Sequence, residues 1–202
     1  WVNHGIADFS EILRTNNDNI EQLSDQIVLF LVNYLKVNQG GVFLINDQDR
    51  KDMYLELAAI YAWDRKKFID QRVEKGQGLV GQCWYEKKTI FITDVPGDFV
   101  QITSGLGKAT PSCILIVPLI SNDEIFGVLE FASFRNLDQY EIEYVEKVAE
   151  NIAAAIGNVR ITERTKVLLE EAQQQGEELR ANEEEMRQNM EELAATQEEM
   201  DR

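Results

Sequence analysis

Ala172, Leu179, Met186, Leu193 and Met200 fall one heptad apart, and this spacing constrains the chain more than any other feature. Seven is the coiled-coil period: it keeps an apolar seam on one side of an underwound helix, and a second helix must cover it. Residues 176–202 read GEELRAN, EEEMRQN, MEELAAT, QEEMDR. Placing the apolar set at position d puts Gly176, Glu183, Met190 and Gln197 at a. The Glu pairs 177/178, 184/185, 191/192 and 198/199 then face water at b and c. Placing the set at a instead makes Gln175, Asn182, Asn189 and Thr196 the second seam, all polar. The first frame is better only by Met190, and the choice between the two stays open. A solvated single helix competes, because Glu, Ala, Leu and Gln are good helix formers. Such a helix has no need of apolar residues held in register. The expected dimer seam is Ala172, Leu179, Met186, Met190, Leu193 and Met200, with a homodimer formed through terminal helices.

At 202 residues and 44% hydrophobic content, the chain can bury one ordinary core with length to spare. A net charge of −16 argues against nucleic acid or anionic lipid as partners, which require basic patches. Residues 160–202 hold 6 Lys and Arg against 13 Asp and Glu, a far denser charge than the first 159 residues carry. We therefore expect a sensor domain over 1–159, its residues 1–13 forming an N-terminal signalling helix, and a coiled-coil linker over 160–202. The chain begins at Trp1 without Met and stops at Arg202 in mid-pattern, as a piece of a longer protein would. No apolar run approaches the roughly 18 residues of a membrane span, and no signal-peptide pattern is present. Two distant cysteines, Cys83 and Cys113, fit a reducing compartment. The expected location is cytoplasmic with no direct membrane insertion, which does not prevent the parent protein from being membrane-anchored.

In the body, Asp18-Asn19-Ile20-Glu21 reads as a capping box opening a helix with Ile20, Leu23, Ile27, Phe30, Leu31 and Tyr34 as its stripe. Gly40-Gly41 breaks that pattern. Strands are expected near 42–45, 53–63, 89–92, 113–120 and 126–134, with Ser121-Asn122-Asp123-Glu124 a hairpin turn. Asp138-Gln139-Tyr140-Glu141 is a second capping box, and Ile142, Val145, Ala149, Ile152, Ile156 and Val159 form the following stripe. Hairpins rather than regular βαβ crossovers point to an α+β fold, an antiparallel sheet with helices packed on one face, followed by the long C-terminal coiled-coil helix.

The strings GQGLVGQ at 76–82 and KTIFITDVP at 88–96 resemble the middle of GAF domains. SCILIVPL at 112–119, IFGVLEF at 125–131 and the closing helix are also similar to that family. The resemblance covers about 15–160. It implies a six-stranded antiparallel sheet, a small-molecule pocket on one face and dimerisation through terminal helices. The tail resembles linkers between GAF and PAS or kinase modules in bacterial sensor histidine kinases. The expected role is thus a sensory or regulatory module, not itself an enzyme, passing a signal to an output domain of PAS or kinase type in the same chain.

Other chemistry lacks its parts. Gly76-x-Gly78-x-x-Gly81 matches a dinucleotide fingerprint by letter, but Lys87-Lys88 cut short the helix it needs, and no parallel strand follows. We read it as a glycine turn starting a short helix beside the pocket. With His4 the lone histidine, no Ser/His/Asp, Cys/His or zinc set can form around the core, so no catalytic residues and no metal site are expected. Some GAF proteins attach a bilin through a cysteine followed by His; here Trp84 follows Cys83 and Ile114 follows Cys113. GAF-type methionine sulfoxide reductases place a cysteine several residues before the SCILIVPL-like strand, where residues 105–108 here have none. Cyclic-nucleotide GAF domains carry an Asn-Lys pair before Phe and Asp-Glu. Phe134 and Asp138 match, but Gln139 replaces the Glu and Ala132-Ser133 stand where the pair would be.

No cofactor is identified; an unknown small ligand remains. Its candidate pocket is Phe43, Trp63, Val80, Trp84, Phe99, Ile102 and Phe131, under a mobile loop over 97–110 that mixes apolar residues with Gly, Ser and Thr. The alternatives are a ligand-free dimerisation spacer and a cysteine redox protein. The body stripe ending at Ile156 and Val159 is out of phase with the tail stripe extended back through Leu169, Thr165 and Thr162. Val167-Leu168-Leu169 bridges the mismatch, a stutter of the kind that locally unwinds a coiled coil.

Overall fold

The structure, a computed structural model, describes residues 5, 6, 9, 11–13, 19–49, 51–62, 65, 66, 72–96, 102–104 and 107–200. The chain divides into two compact units, Trp1–Arg160 and Ile161–Arg202.

Helix α1 (Ile20–Leu35) starts at Asn19, whose side-chain oxygen accepts the Glu21 and Gln22 N–H groups. The cap is thus one residue later than the expected Asp18, which lies outside the described residues. The helix ends at Lys36, which adopts left-handed φ of 53° and donates its N–H to Val32 O. Termination therefore precedes Gly40-Gly41, and both glycines belong to strand β1 (Gln39–Asn46). Gly40 sits where a Cβ would meet Val32 and Phe131 side chains. Residues 5, 6, 9 and 11–13 are helical, and Phe9 is buried with its ring 5.2 Å from Phe30.

The remaining strands are β2 (Tyr54–Ala62), β3 (Arg65–Lys66), β4 (Arg72–Val73), β5 (Ile90–Thr93), β6 (Ile102–Ser104), β7 (Gly107–Ala109), β8 (Cys113–Ser121) and β9 (Glu124–Ser133). The main sheet runs β3-β2-β1-β9-β8-β5, with β4 also paired to β2, and every pairing is antiparallel. β3 pairs with the end of β2 and β4 with its start, so the two short pieces share one outer position. The result is the expected sheet of six strand positions. β6 and β7 pair separately, so 102–104 and 107–109 of the expected loop are a hairpin; 97–101, 105 and 106 lie outside the described residues.

Between β8 and β9, Asn122 and Asp123 both take positive φ, 51° and 65°. Two left-handed central residues match the right-handed twist of the strands they join, and short polar Asn and Asp tolerate that conformation best after glycine. β5 pairs only with residues 113–116 of β8. Two residues further on is Pro118, which has no N–H to offer another strand.

Side chains alternate across a strand, and that alternation divides the core in two. One face packs Val42, Leu44, Leu115, Val117, Leu129 and Phe131 against the helices. Those helices are α1 and the first part of α3 (Gln139–Met200), which buries all six residues of its expected stripe, Ile142 to Val159. The other face packs Phe43, Ile45, Ile114, Ile116 and Val128 against α2 (Gly78–Glu86) through Val80, Cys83 and Trp84. On β2 the alternation breaks. Val42 opposes Ala59 but Phe43 opposes Leu57, leaving Ala58 as an extra residue. Such a bulge reverses which face later residues point to. Ala59 therefore joins the helix side although Leu55 and Leu57 lie on the other.

The second unit is helical through Met200. Leu179, Met186, Met190, Leu193 and Met200 are each at least 60% exposed. Arg187 pairs with Glu184 and Glu191, each at 2.6 Å, on the solvated side of the helix. Pairs this exposed add little to stability, because solvent screens them.

Where the sheet hands over to α3, Arg135 donates to both Glu141 carboxylate oxygens, at 2.6 and 2.8 Å, and to Leu35 O at the end of α1, at 2.6 Å. Glu141 also accepts the Asp138 N–H at 2.8 Å, one of the two bonds of the expected capping box, while its own N–H donates to the Asp138 backbone carbonyl at 3.0 Å. Burial by itself would push the Glu141 carboxyl up; the hydrogen bonds from Arg135 and Asp138 outweigh it and hold it below its ordinary range. A depressed carboxyl contributes stability above its unfolded pKa and loses it as pH falls through the folded value. Glu141→Gln should cost about 1–2 kcal/mol at neutral pH, with the half-exposed Arg135 limiting the loss. The gap between variant and wild type should close on acidification. Denaturant unfolding across a pH series checks both.

Candidate functional site

The face of the sheet that carries α2 holds a cavity of about 390 Å³. Its floor comes from β1 and β9, through Gly41, Phe43, Glu130 and Ala132; its walls come from Leu57 and Ile60 of β2, Arg72 and Val73 of β4, and residues 77–80. Both glycines of β1 lie on it, so the floor is bare backbone there. The β2 bulge matters at this point, because it brings Ile60 to the same side as Leu57.

The glycine motif forms the wall. Gly76 and Gly78 take φ of +84° and +61°, which residues with a side chain rarely adopt. Gly76 N–H donates to Gly81 O at 2.8 Å, and a Cβ on Gly81 would stand 2.3 Å from Glu74 O. The turn at Gly76 and the first turn of α2, which holds Gly78 and Gly81, thus fold back onto the end of β4. α2 ends after nine residues, with Lys87 left-handed at φ 55°. A turn and a short helix, with only antiparallel pairing in the sheet, are the outcome the sequence led us to expect in place of a dinucleotide fold.

Glu130 is the residue the sequence reading missed. It is central in the sheet, opposite Gly41 of β1 and Ile116 of β8. Its carboxyl is surrounded by protein on most sides, retains partial solvent access, and forms no hydrogen bond or ion pair with a described residue. Burial alone pushes it up to about 7. A signal was available: one acid within IFGVLEFA, between Val128 and Ala132 on the same strand face. Arg72, the other charged residue among the described ones lining the cavity, is already engaged, donating to Asp52 at 2.6 Å and Glu74 at 2.8 Å with its guanidinium 4.0 Å from the Tyr54 ring centre.

Of the expected pocket residues, Phe43 and Val80 line the cavity. Trp84 and Ile102 belong to the apolar cluster on the same sheet face without lining it. Phe131 lies on the opposite face, among the helices, because it neighbours Glu130 in a strand that alternates. Trp63 and Phe99 lie outside the described residues. Among the described residues there is no group of three or more potential metal ligands, and no helix is long and apolar enough to cross a membrane.

Both thiols are buried and donate to backbone carbonyls, Cys83 to Lys88 O at 3.3 Å and Cys113 to Arg135 O at 3.1 Å. Burial, with a smaller contribution from the Glu86 charge, pushes Cys83 up to about 12, and burial also raises Cys113. Neither is a thiolate near neutral pH, and the thiolate is the reactive form.

A family model described as GAF domain matches residues 17–157. GAF domain-containing protein A of Dictyostelium discoideum is 30% identical over 88 residues, covering 40% of this chain and 52% of that protein. The chain thus matches about half the length of this curated relative. A free methionine-R-sulfoxide reductase from Neisseria meningitidis, solved with its substrate, shares the fold at TM-score 0.63 and 18% identity, over 80% of this chain and 91% of that one. The GAF domain of a two-component sensor histidine kinase from Bacillus halodurans does so at TM-score 0.51 and 19% identity, over 68% and 95%.

Two expectations follow. A raised acid binds its proton more tightly when folded, so Glu130 costs stability that grows as pH rises from about 4.5 to about 7 and is constant above. Glu130→Gln should therefore be more stable than wild type at pH 8, by on the order of 1–3 kcal/mol, with the advantage gone below pH ~4.5. Thermal unfolding at the two pH values reads this. Separately, a disulfide-exchange reagent should label the native thiols at pH 8 roughly 100-fold more slowly than those of the denatured chain.

Proposed function

The chain belongs to the GAF domain family, and from that premise we propose that it is a sensory or regulatory module whose sheet-face cavity binds a small ligand. The change is passed along α3, paired with α3 of a second copy, to an output domain of PAS or kinase type. A bacterial sensor histidine kinase is the setting we favour. Support for that setting comes from the Bacillus halodurans neighbour and the heptad tail, while the Dictyostelium relative shows that the family is not confined to bacteria.

The observation that carries the proposal is a shared wall. β1 and β9 floor the cavity with Phe43, Glu130 and Ala132 on one face and pack the helices with Val42, Leu44, Leu129 and Phe131 on the other. The α3 residues Val145, Val148, Ile152 and Ile156 are in that same helical core. A shift of either strand is felt on both sides, because cores packed to crystal density transmit displacements rather than absorb them. Arg160 adds a second connection, donating to Ile45 O at the end of β1 and standing 3.7 Å from Asp47. From there the same helix continues to Met200, with Val167, Leu168 and Leu169 all exposed at the stutter. Polar a positions make the downstream register cheap to change, as a two-state relay requires.

The similarity to a sulfoxide reductase concerns the fold, and the protonated, hydrogen-bonded thiols favour regulation over redox chemistry for this chain. Cysteines placed singly at Leu179 and Met186, with Cys83 and Cys113 replaced by Ser, test the relay. Each should crosslink between copies, with yields that differ between wild-type and Glu130→Gln bodies by about twofold or more. Absent crosslinks would remove the dimer. Yields indifferent to body variants and to added small molecules would remove the relay and leave a spacer.

A further inference from the structure

Resting on the reading of the sheet-face cavity as a ligand site, we propose that its ligand carries a basic nitrogen, an alkylammonium or amidinium group, which the Glu130 carboxylate receives while the ligand's apolar part lies against Phe43, Leu79 and Val80. The cavity, about 390 Å³, is of a size used for small molecules. Most of its lining is apolar or backbone, so a single charged group at its floor decides what binds there. That group is Glu130, and no described residue satisfies it. A carboxylate desolvated without a partner is costly unless something completes it.

The surroundings select the sign of the partner. Among the described residues, Arg72 is the one basic residue lining the cavity, and its guanidinium is held by Asp52 and Glu74. Those two acids take up its charge, so Glu130 is the described charged lining residue without a charged partner, which favours cations over carboxylates and phosphates. From β1 and β8 the groups facing Glu130 are Gly41, Phe43, Ile114 and Ile116, none of which titrates. Nothing from those strands competes with the ligand for its charge.

Binding is then proton-linked. Only ionised Glu130 accepts the cation, and its carboxyl sits near 7 when the site is empty. Apparent affinity for an amine should fall about tenfold per pH unit below 7 and level off above it.

Amide chemical-shift titrations of the full chain with phenethylamine, benzamidine, phenethyl alcohol and phenylacetate test the inference. The two cations should give saturable shifts at Phe43, Leu79, Val80 and Ala132, while phenylacetate gives none. Glu130→Gln should weaken the cations at least tenfold, and Glu130→Asp, which keeps the charge, should restore part of the loss. An unchanged amide spectrum away from the cavity separates lost binding from lost fold. If phenylacetate or the alcohol bound as well as the amines, or if Glu130→Gln bound amines as tightly as wild type, the basic-nitrogen assignment would fall while the ligand site stood. If none of the four shifted the cavity amides, both would fall.

Discussion

The alternation of side chains along β9 is the constraint on which the rest of the body depends. Val128, Glu130 and Ala132 point to one face and Leu129 and Phe131 to the other, and each set has its own layer to meet. A slip of one residue against β1 or β8 would send Phe131 into the cavity and Glu130 among the helices. That alternative buries a carboxylate in a helical core without solvent. The cost of such burial, several kcal/mol, sets the register more firmly than any single apolar contact. Glu130, which strains the native state, therefore also penalises the misaligned one.

The passage from sheet to helix is handled by charge rather than by apolar packing. Arg135 and Glu141 gather the end of α1, the strand–helix connection and the first turn of α3 into one hydrogen-bonded group. This satisfies donors and acceptors that both helix ends would otherwise leave open. It also gives α3 a defined starting point, so that its burial stripe meets the underside of the sheet from its first turns. At the far end of that stripe Arg160 reaches the chain leaving β1. The segment of α3 belonging to the body is thus held at both ends by polar contacts and in the middle by apolar ones.

Much of this was legible in the sequence, for identifiable reasons. The α3 stripe was readable because a long amphipathic helix repeats its signal many times, and the second capping box because its Asp and Glu stand at fixed spacing. The turn at Asn122-Asp123 declares itself by chemistry. The fold class followed from hairpin-joined strands. Other features were not legible. The β2 bulge at Ala58 is invisible in a run of mostly apolar residues, since neither parity looks wrong. The end of α1 is fixed by Lys36, a residue with no special preference for left-handed backbone, while the more conspicuous glycines serve the next strand. Phe131 was placed with the pocket because its aromatic ring draws attention. Glu130, its neighbour, was passed over because an acid in a chain of 36 acidic residues is unremarkable until its depth is known.

Pro118 has a consequence outside the monomer's own energetics. Beyond Ile116, β8 has β9 on one side and no described strand on the other. A flat apolar strand with a free margin is a template on which foreign chains can add, the first step toward aggregated sheets. Val117, Leu119 and Ile120 would suit such growth, but a ring nitrogen without hydrogen stands in the middle of them. If the chain pairs through its terminal helix as proposed, it has reason to limit where else two copies can meet. The proline closes one of the wrong places.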